Sequence, residues 1–465
     1  MLDVIYRFRP VENLLGKFKE LERRQIYMAP THEQNDPMDG YKNVTFRGDE
    51  VLWENLLRHY VLALVWVMTN ILLQDDFEEP NIPATLTEDD LPTDELRRLY
   101  REASDAFLKE PGPASLLTIV VRLQEPLRRE GVRMILTLLS PAAFAAVTAS
   151  FHKRGLLPAQ PIEMPKTPSL HTILEAFTHG TTEIPEAPLE SLAFVLNSVS
   201  AEQALRMLFK LEHDKVGGRS RHMHYLLWGF PARYIDELID QLVHPPWGAA
   251  CFSATCTNAA VWATYGAGHC GVALVYRPVT EEGRSFIPLI GVTGSSTVLG
   301  KPSNLIKGTI KGQLRPITYT RELPKIEFFQ SLGTIPRGKL ERAWLSLGNG
   351  KRSTVVDGIL KEDAEWRQSY WDSFDRIVTT KLEDWKHEEE YRIVLPDMLG
   401  LRQDDPYVEY EFSSLVGIVF GMKTNESDKL AIMKEIWRQC QAINRDDFSF
   451  YRMAFHAEKG QLVRI

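Results

Sequence analysis

Residues 387 to 395 read His387-Glu388-Glu389-Glu390-Tyr391-Arg392-Ile393-Val394-Leu395. If this stretch is a strand, successive side chains point to opposite faces. Tyr391, Ile393 and Leu395 then share one face and can meet a core. Glu388, Glu390 and Arg392 share the other. Two carboxylates and a guanidinium on one face can form an active site, and the same pattern also begins many exposed strands.

Similar short strands surround this stretch. Ala249 to Ser253, Val272 to Tyr276, Phe286 to Val292, Ile317 to Tyr319, Val408 to Phe412, Gly417 to Phe420 and Phe448 to Phe455 all carry β-type patterns. Pro336 to Trp344, Asp363 to Thr380 and Ser427 to Gln441 read as helices between them. Near the N-terminus, Val4 to Phe8 alternates and stops at Pro10. Val11 to Arg24 has helical spacing, and Gln25 to Met28 reads as a second strand. From Val51 the character changes. Val51 to Leu73 is apolar nearly all round and reads as a buried helix. The acidic segment Asp75 to Asp94 reads as a linker. Thr167-Pro168 predicts a helix start before Leu170 to Phe177. Ser200 with Gln203 predicts another before Ala204, and Pro231 to Val243 is amphipathic. The expected organisation is an α+β core with a mixed or antiparallel sheet, built from 1–50 and 246–465. A large all-helical insertion, 51–245, interrupts it.

The chain has 465 residues, 44% hydrophobic and 25% charged, with net charge −8. These are globular values that exclude a disordered or fibrous chain. The negative charge argues against a general nucleic-acid coat protein. Cys251, Cys256 and Cys270 lack paired metal-ligand spacing, so no metal is expected. The run Val61 to Leu73 falls short of the roughly 20 residues a bilayer needs, and the N-terminus lacks signal-peptide order. The expectation is a cytoplasmic protein without a membrane partner. Gly266, Gly268 and Gly271 match GxGxxG, but they follow a helix and open a strand, the reverse of a dinucleotide turn. His213, His222 and His224 flank a basic stretch. Lys215, Arg219 and Arg221 there are candidates for contact with a nucleic acid.

Several motifs in order resemble a bacterial family built on a domain of unknown function. They are Tyr6-Arg7-x-Arg9-Pro10, Asn35-Asp36-Pro37-x-Asp39, Cys251-Phe252-Ser253 and Trp262-x-x-Tyr265-Gly266-x-x-His269-x-Gly271. Lys381-x-x-x-Trp385-x-x-Glu388-x-Glu390-x-Arg392 and Gly417 to Gly421 close the set. That order in turn resembles the arginine–serine–glutamate class of ADP-ribosyltransferases and the related enzymes that modify DNA bases. The resemblance implies an NAD-consuming transferase, acting as a toxin or in anti-phage defence, with an ADP-ribosyltransferase-like core. It implies Glu390 as the carboxylate that stabilises an oxocarbenium-like transition state, and Glu388 as the group that orients or deprotonates the acceptor. Arg7, or Arg9, would grip the NAD diphosphate. Ser253, Tyr265, His269, Asn35 and Asp36 would complete the NAD site. The serine motif here is Cys-Phe-Ser-Ala-Thr, not Ser-Thr-Ser, a departure from that class. For Asn35-Asp36-Pro37 a plain turn is an equal reading. Two rivals stand beside the transferase. One is a metal-dependent nuclease or phosphodiesterase using Asp36, Asp39, Glu388 and Glu390. The other is a non-enzymatic sensor or scaffold.

Overall fold

The computed structural model describes residues 3–73, 81–120, 123, 125–157, 186–213, 221–222, 224–296, 304–361, 363–397 and 405–465. The chain is α+β, with mixed and antiparallel sheets, and it divides into two compact units. One comprises 1–41, 246–324 and 375–465, the other 42–245 and 325–374. The second unit therefore starts before residue 51. It also takes in a segment that the sequence pattern placed in the core domain.

The first unit is organised by a nine-stranded sheet. Its strands in chain order are β1 (Ile5–Arg9), β2 (Ala29–Pro30), β3 (Trp247–Ser253), β4 (Val272–Tyr276) and β5 (Arg315–Pro316). They continue as β6 (Glu390–Pro396), β7 (Leu415–Phe420), β8 (Ser449–His456) and β9 (Gln461–Arg464). The spatial order is β5-β6-β3-β1-β4-β7-β8-β9, with β2 also on β3. All pairs are antiparallel except β7 with β8. Only half of the pairs join strands consecutive in this sheet, and the N-terminal strand lies between β3 and β4, which begin at Trp247 and Val272.

Period-2 alternation gives this sheet two different faces. Ile5, Ala250, Phe252, Leu274, Ile393, Leu395 and Ile418 belong to one core. That core is closed by a second sheet containing the hairpin Arg284–Ser296 and Asn304–Gln313, and by the helix Glu426–Ala442. The hairpin arm Asn304–Gln313 is unforeseen: its Lys, Gly and Thr residues mask the alternation. On the opposite face Tyr6, Phe8, Val261, Trp262, Ala273 and Val419 form a smaller core. Beyond it the same face carries the paired positions Ser253 and Glu390, and Cys251 and Arg392.

The second unit is mostly helical but not wholly so. Asn43–Phe46 pairs in parallel with Lys325–Glu327 and antiparallel with Leu127–Arg128. The helices Glu50–Leu72 and Arg129–Lys153 are long and apolar enough to cross a membrane, yet 72% and 61% of their most apolar windows are buried inside the protein. Phe46 stacks on Phe328 at 4.7 Å, and Tyr60 meets Tyr234 edge-on at 5.0 Å. The helix start predicted at Ser200 does not occur, because one helix runs from Glu186 through His213. A Ser-x-x-Gln pattern acts as a cap only where the backbone before it is non-helical. The helix expected at Leu170 to Phe177 lies outside the described residues, as do Lys215 and Arg219.

Candidate active site

Register decides which side chains meet. Tyr6 pairs with Ser253, and Ser253 pairs with Glu390, so these three share one face. Arg392 pairs with Cys251 on the same face. The alternation read at Glu390, Arg392, Ile393 and Leu395 is therefore the alternation observed.

Glu388 reaches this face by another route. The segment Glu383–Glu388 is a 3-10 helix, and Glu389 adopts a left-handed conformation, φ 46°, before β6 begins at Glu390. That reversal turns Glu388 and Glu390 onto one cation. Lys381 Nζ donates to Glu388 Oε2 at 2.7 Å and to Glu390 Oε2 at 3.3 Å. Lys381 sits on the short strand Thr380–Leu382, which pairs in parallel with Thr318–Thr320. That partner strand supplies Tyr319, whose hydroxyl accepts from the Glu390 amide at 2.9 Å.

Arg392 is wholly buried and anchors the other end of the network. Its Nε donates to Glu390 Oε1 at 2.9 Å. Its two terminal nitrogens form a fork on Asp39, at 2.8 and 2.7 Å, and one of them also donates to the Val378 carbonyl at 3.0 Å. Bidentate pairing of this kind sets direction as well as charge. Three carboxylates therefore alternate with two cations along a buried chain: Asp39, Arg392, Glu390, Lys381, Glu388. Tyr265 closes the end, donating to Glu388 Oε1 at 2.6 Å and accepting from Asn35 Nδ2 at 2.7 Å.

These contacts set the ionisation states. Burial opposes charge on Glu390, but the Arg392 guanidinium and the Lys381 ammonium outweigh it and hold the carboxyl below its ordinary range. Burial likewise opposes charge on Lys381, and the two glutamates outweigh it, so its pKa is raised. Burial, followed by the charge of Glu388, pushes the Tyr265 phenol far up. Burial and the neighbouring Glu390 do the same to the Cys251 thiol. Glu390 is thus an ionised carboxylate in a desolvated setting, beside a phenol that keeps its proton. A hollow of about 50 Å³ opens over the pair, with Phe8, Ser253, Val261 and Tyr265 in its walls.

Other expected site residues lie elsewhere or do other work. Arg7 and Arg9 alternate away from Tyr6 and so occupy the opposite face of the sheet. There Arg7 bonds Glu20 at 3.4 Å and the Tyr27 carbonyl at 3.2 Å, and Arg9 bonds Glu20 at 2.8 Å. Both arginines are engaged by one buried carboxylate, and neither faces Glu390. Their expected place in one cleft with Ser253 and Glu390 is corrected on that ground. Ser253 is in the cluster, but its hydroxyl donates to the Glu388 carbonyl at 2.8 Å and accepts from the Thr255 amide, so it holds a backbone turn. Asp36 accepts from the Met38 amide at 2.9 Å, the plain-turn reading of this motif. His269 is also a turn residue, φ 71°, lying parallel to the Trp262 ring. It makes no contact with either glutamate. Asp36 is absent from the group expected for a metal, and Lys381 and Arg392 stand between the other acids. Among the described residues no three potential ligands converge.

Lys381 and Asp39 had no assigned part in the transferase reading. The available signal was charge balance: a buried Glu-x-Glu-x-Arg strand carries surplus negative charge, and a lysine nine residues upstream can offset it. Compared with family models, with curated proteins and with solved structures, the chain has no match.

Proposed function

We propose that the Glu388–Glu390 cluster acts at the anomeric carbon of a ribose, in an NAD-consuming transferase or glycohydrolase of ADP-ribosyltransferase-like type. The observation that carries this reading is Glu390 itself: buried, yet kept ionised by Arg392 and Lys381. A desolvated carboxylate is suited to stabilising a cationic, oxocarbenium-like centre. Glu388 supplies the second carboxylate, oriented by Tyr265 and Lys381. The two oxygens that share Lys381 can be no farther apart than their bonds laid end to end, about 6.0 Å. So close a pair can serve one ribose, with Glu390 at the anomeric carbon and Glu388 beside the acceptor. A hollow of this size admits a hydroxyl or a water, not a whole ring. The sugar would therefore present its anomeric carbon at the mouth.

The carboxylate chemistry here supports a role at the ribose of NAD, and Arg7 and Arg9, which face away and are paired to Glu20, lend no support to a grip on its diphosphate. No step is assigned to those arginines. The test is release of nicotinamide from labelled NAD by the whole chain, with cell extract as the source of acceptors. Wild type should release it, and Glu390→Gln should release about a hundredfold less while its circular dichroism stays unchanged. No release by wild type, or full activity in Glu390→Gln, overturns the proposal.

A further inference from the structure

The second unit holds a cavity of about 520 Å³. That is within the ~300–1,000 Å³ range typical of small-molecule sites. Its walls come from three distant stretches of sequence: Glu54 to Leu62, Leu86 to Asp105 and Lys339 to Asn349. Leu62, Leu86, Ala343 and Leu347 supply apolar surface, and the Tyr100 ring lies among them.

The charged groups divide into committed and spare. Arg58 is held by Glu54 and Asp105, at 2.8 and 3.1 Å, and Arg101 by Glu88. Arg342 is different. Its recorded ion pair is Asp89 at 3.7 Å, with both side chains more than two-thirds exposed. Lys339 stands one helical turn before it, bonded to Asp90 at 2.8 Å. Next to them is the turn Leu347-Gly348-Asn349-Gly350. Gly350 donates to the Leu347 carbonyl at 2.9 Å and Lys351 donates to Asn349 Oδ1 at 2.9 Å. The amides of Gly348 and Asn349 donate to no acceptor in the described chain. Gly348 has no side chain, so what it presents to the cavity is backbone. Spare amides beside a loosely paired guanidinium make a receptor for an oxyanion.

Another wall residue makes the opposite demand. Asn55 spends its Nδ2 on the carbonyls of Trp344 and Ser346, at 2.8 and 3.2 Å. That fixes the amide and leaves Oδ1 as an acceptor with no donor in the described chain. The cavity thus offers a receptor for an oxyanion, a hydrogen-bond acceptor in Asn55 Oδ1, and apolar surface from Tyr100 and the leucines.

We propose that this cavity binds a nucleoside monophosphate. The phosphate lies on Arg342, Lys339 and the Gly348–Asn349 amides, and an amino-bearing base lies toward Asn55. This inference is independent of the reading of Glu390.

The test is isothermal titration of the whole chain with adenosine and guanosine monophosphates, adenosine, and inorganic phosphate. At least one monophosphate should bind with Kd below about 1 mM, and at least about tenfold more tightly than phosphate or adenosine. Arg342→Glu removes the cation. Gly348→Trp fills the mouth, at a position where a Cβ meets nothing within 4 Å. Each should weaken binding about tenfold or more and leave the urea midpoint of the free protein unchanged. If neither monophosphate binds, if inorganic phosphate binds equally well, or if both variants bind like wild type, the proposal is wrong.

Discussion

Replacing Arg392 with Met removes the hub of the buried charge chain and leaves its two acids behind. The side chain is fully buried, and its partners Asp39 and Glu390 are 1% and 4% exposed. Methionine fills similar volume but offers none of the four hydrogen bonds that reach Asp39, Glu390 and the Val378 carbonyl. Breaking a buried ion pair from one side costs about 3–5 kcal/mol, because the orphaned charge stays desolvated. Here Asp39 is orphaned and Glu390 keeps only Lys381 at 3.3 Å, so the upper end applies at pH 7. Arg392→Lys keeps the charge without the planar fork and should recover part of this. Equilibrium urea unfolding, read by hydrogen exchange at the β6 and β3 amides, isolates this unit from the other. The pH dependence supplies an internal control. In wild type Glu390 is held below its ordinary pKa, so it adds stability above the unfolded carboxylate value, and that stability is lost as pH falls through the folded pKa. In Arg392→Met the acids lose their main cation, and protonation relieves the variant. The gap between the two proteins should therefore narrow from pH 7 toward pH 4. Adding Asp39→Asn to Arg392→Met should cost less than the sum of the single changes. A loss under about 1 kcal/mol, as for an exposed pair, or a gap independent of pH, would refute the reasoning.

Two further perturbations test other parts of the fold. At Gly421 a Cβ would sit 2.2 Å from the His269 carbonyl oxygen and 3.0 Å from that of Gly271. Neither backbone group can step aside cheaply, so Gly421→Ala should cost about 2–4 kcal/mol; an unchanged urea midpoint would show that the 266–271 turn is not packed on the end of β7. In the second unit, burial lowers His59 to about 4; burial and then the neighbouring Lys42 lower His244 to about 3. Both histidines bind protons more readily when unfolded, so their stabilisation is full above about pH 6.5 and is lost as pH falls toward 4. Glu327, raised by burial to about 7, acts in the opposite sense and loses its contribution as pH rises. Glu327→Gln should therefore steepen the acid loss between pH 6.5 and 4.5 in urea titrations. An equally shallow profile in that variant would contradict the burial assignments.

Much of this architecture could be read locally. Glu390 and Arg392 on one face, Ile393 and Leu395 on the other, and Arg7 opposite Tyr6 all follow from period 2 alone. What alternation cannot supply is register. Whether Arg7 or Tyr6 faces Glu390 depends on Tyr6 pairing with Ser253 and Ser253 with Glu390, across segments separated by more than a hundred residues. A shift of one residue in either pairing would have put Arg7 on the glutamate face. The same limit applies to Asp39, which meets Arg392 across 353 positions. It applies equally to the second unit, where Lys325–Glu327 completes a sheet with Asn43–Phe46. Ser200 failed for a different reason: a local cap signal was overridden by a helix already in progress.

The left-handed residue Glu389 ties these levels together. In an uninterrupted strand Glu388 and Glu390 would stand on the same face, two residues or ~6.6 Å apart along it. The φ of 46° at Glu389 ends the 3-10 helix and starts β6 in one step, bringing both carboxylates to a single Lys381. A non-glycine residue held in this region costs about 1 kcal/mol or more and persists only where its surroundings require it. Here they do: the Glu389 carbonyl accepts from the Ala254 amide at 3.0 Å, and Ser253 fixes the Glu388 carbonyl at 2.8 Å. The Cys-Phe-Ser-Ala-Thr motif therefore serves the carboxylate pair by shaping its backbone. That accounts for a serine at this register without asking it to touch a substrate.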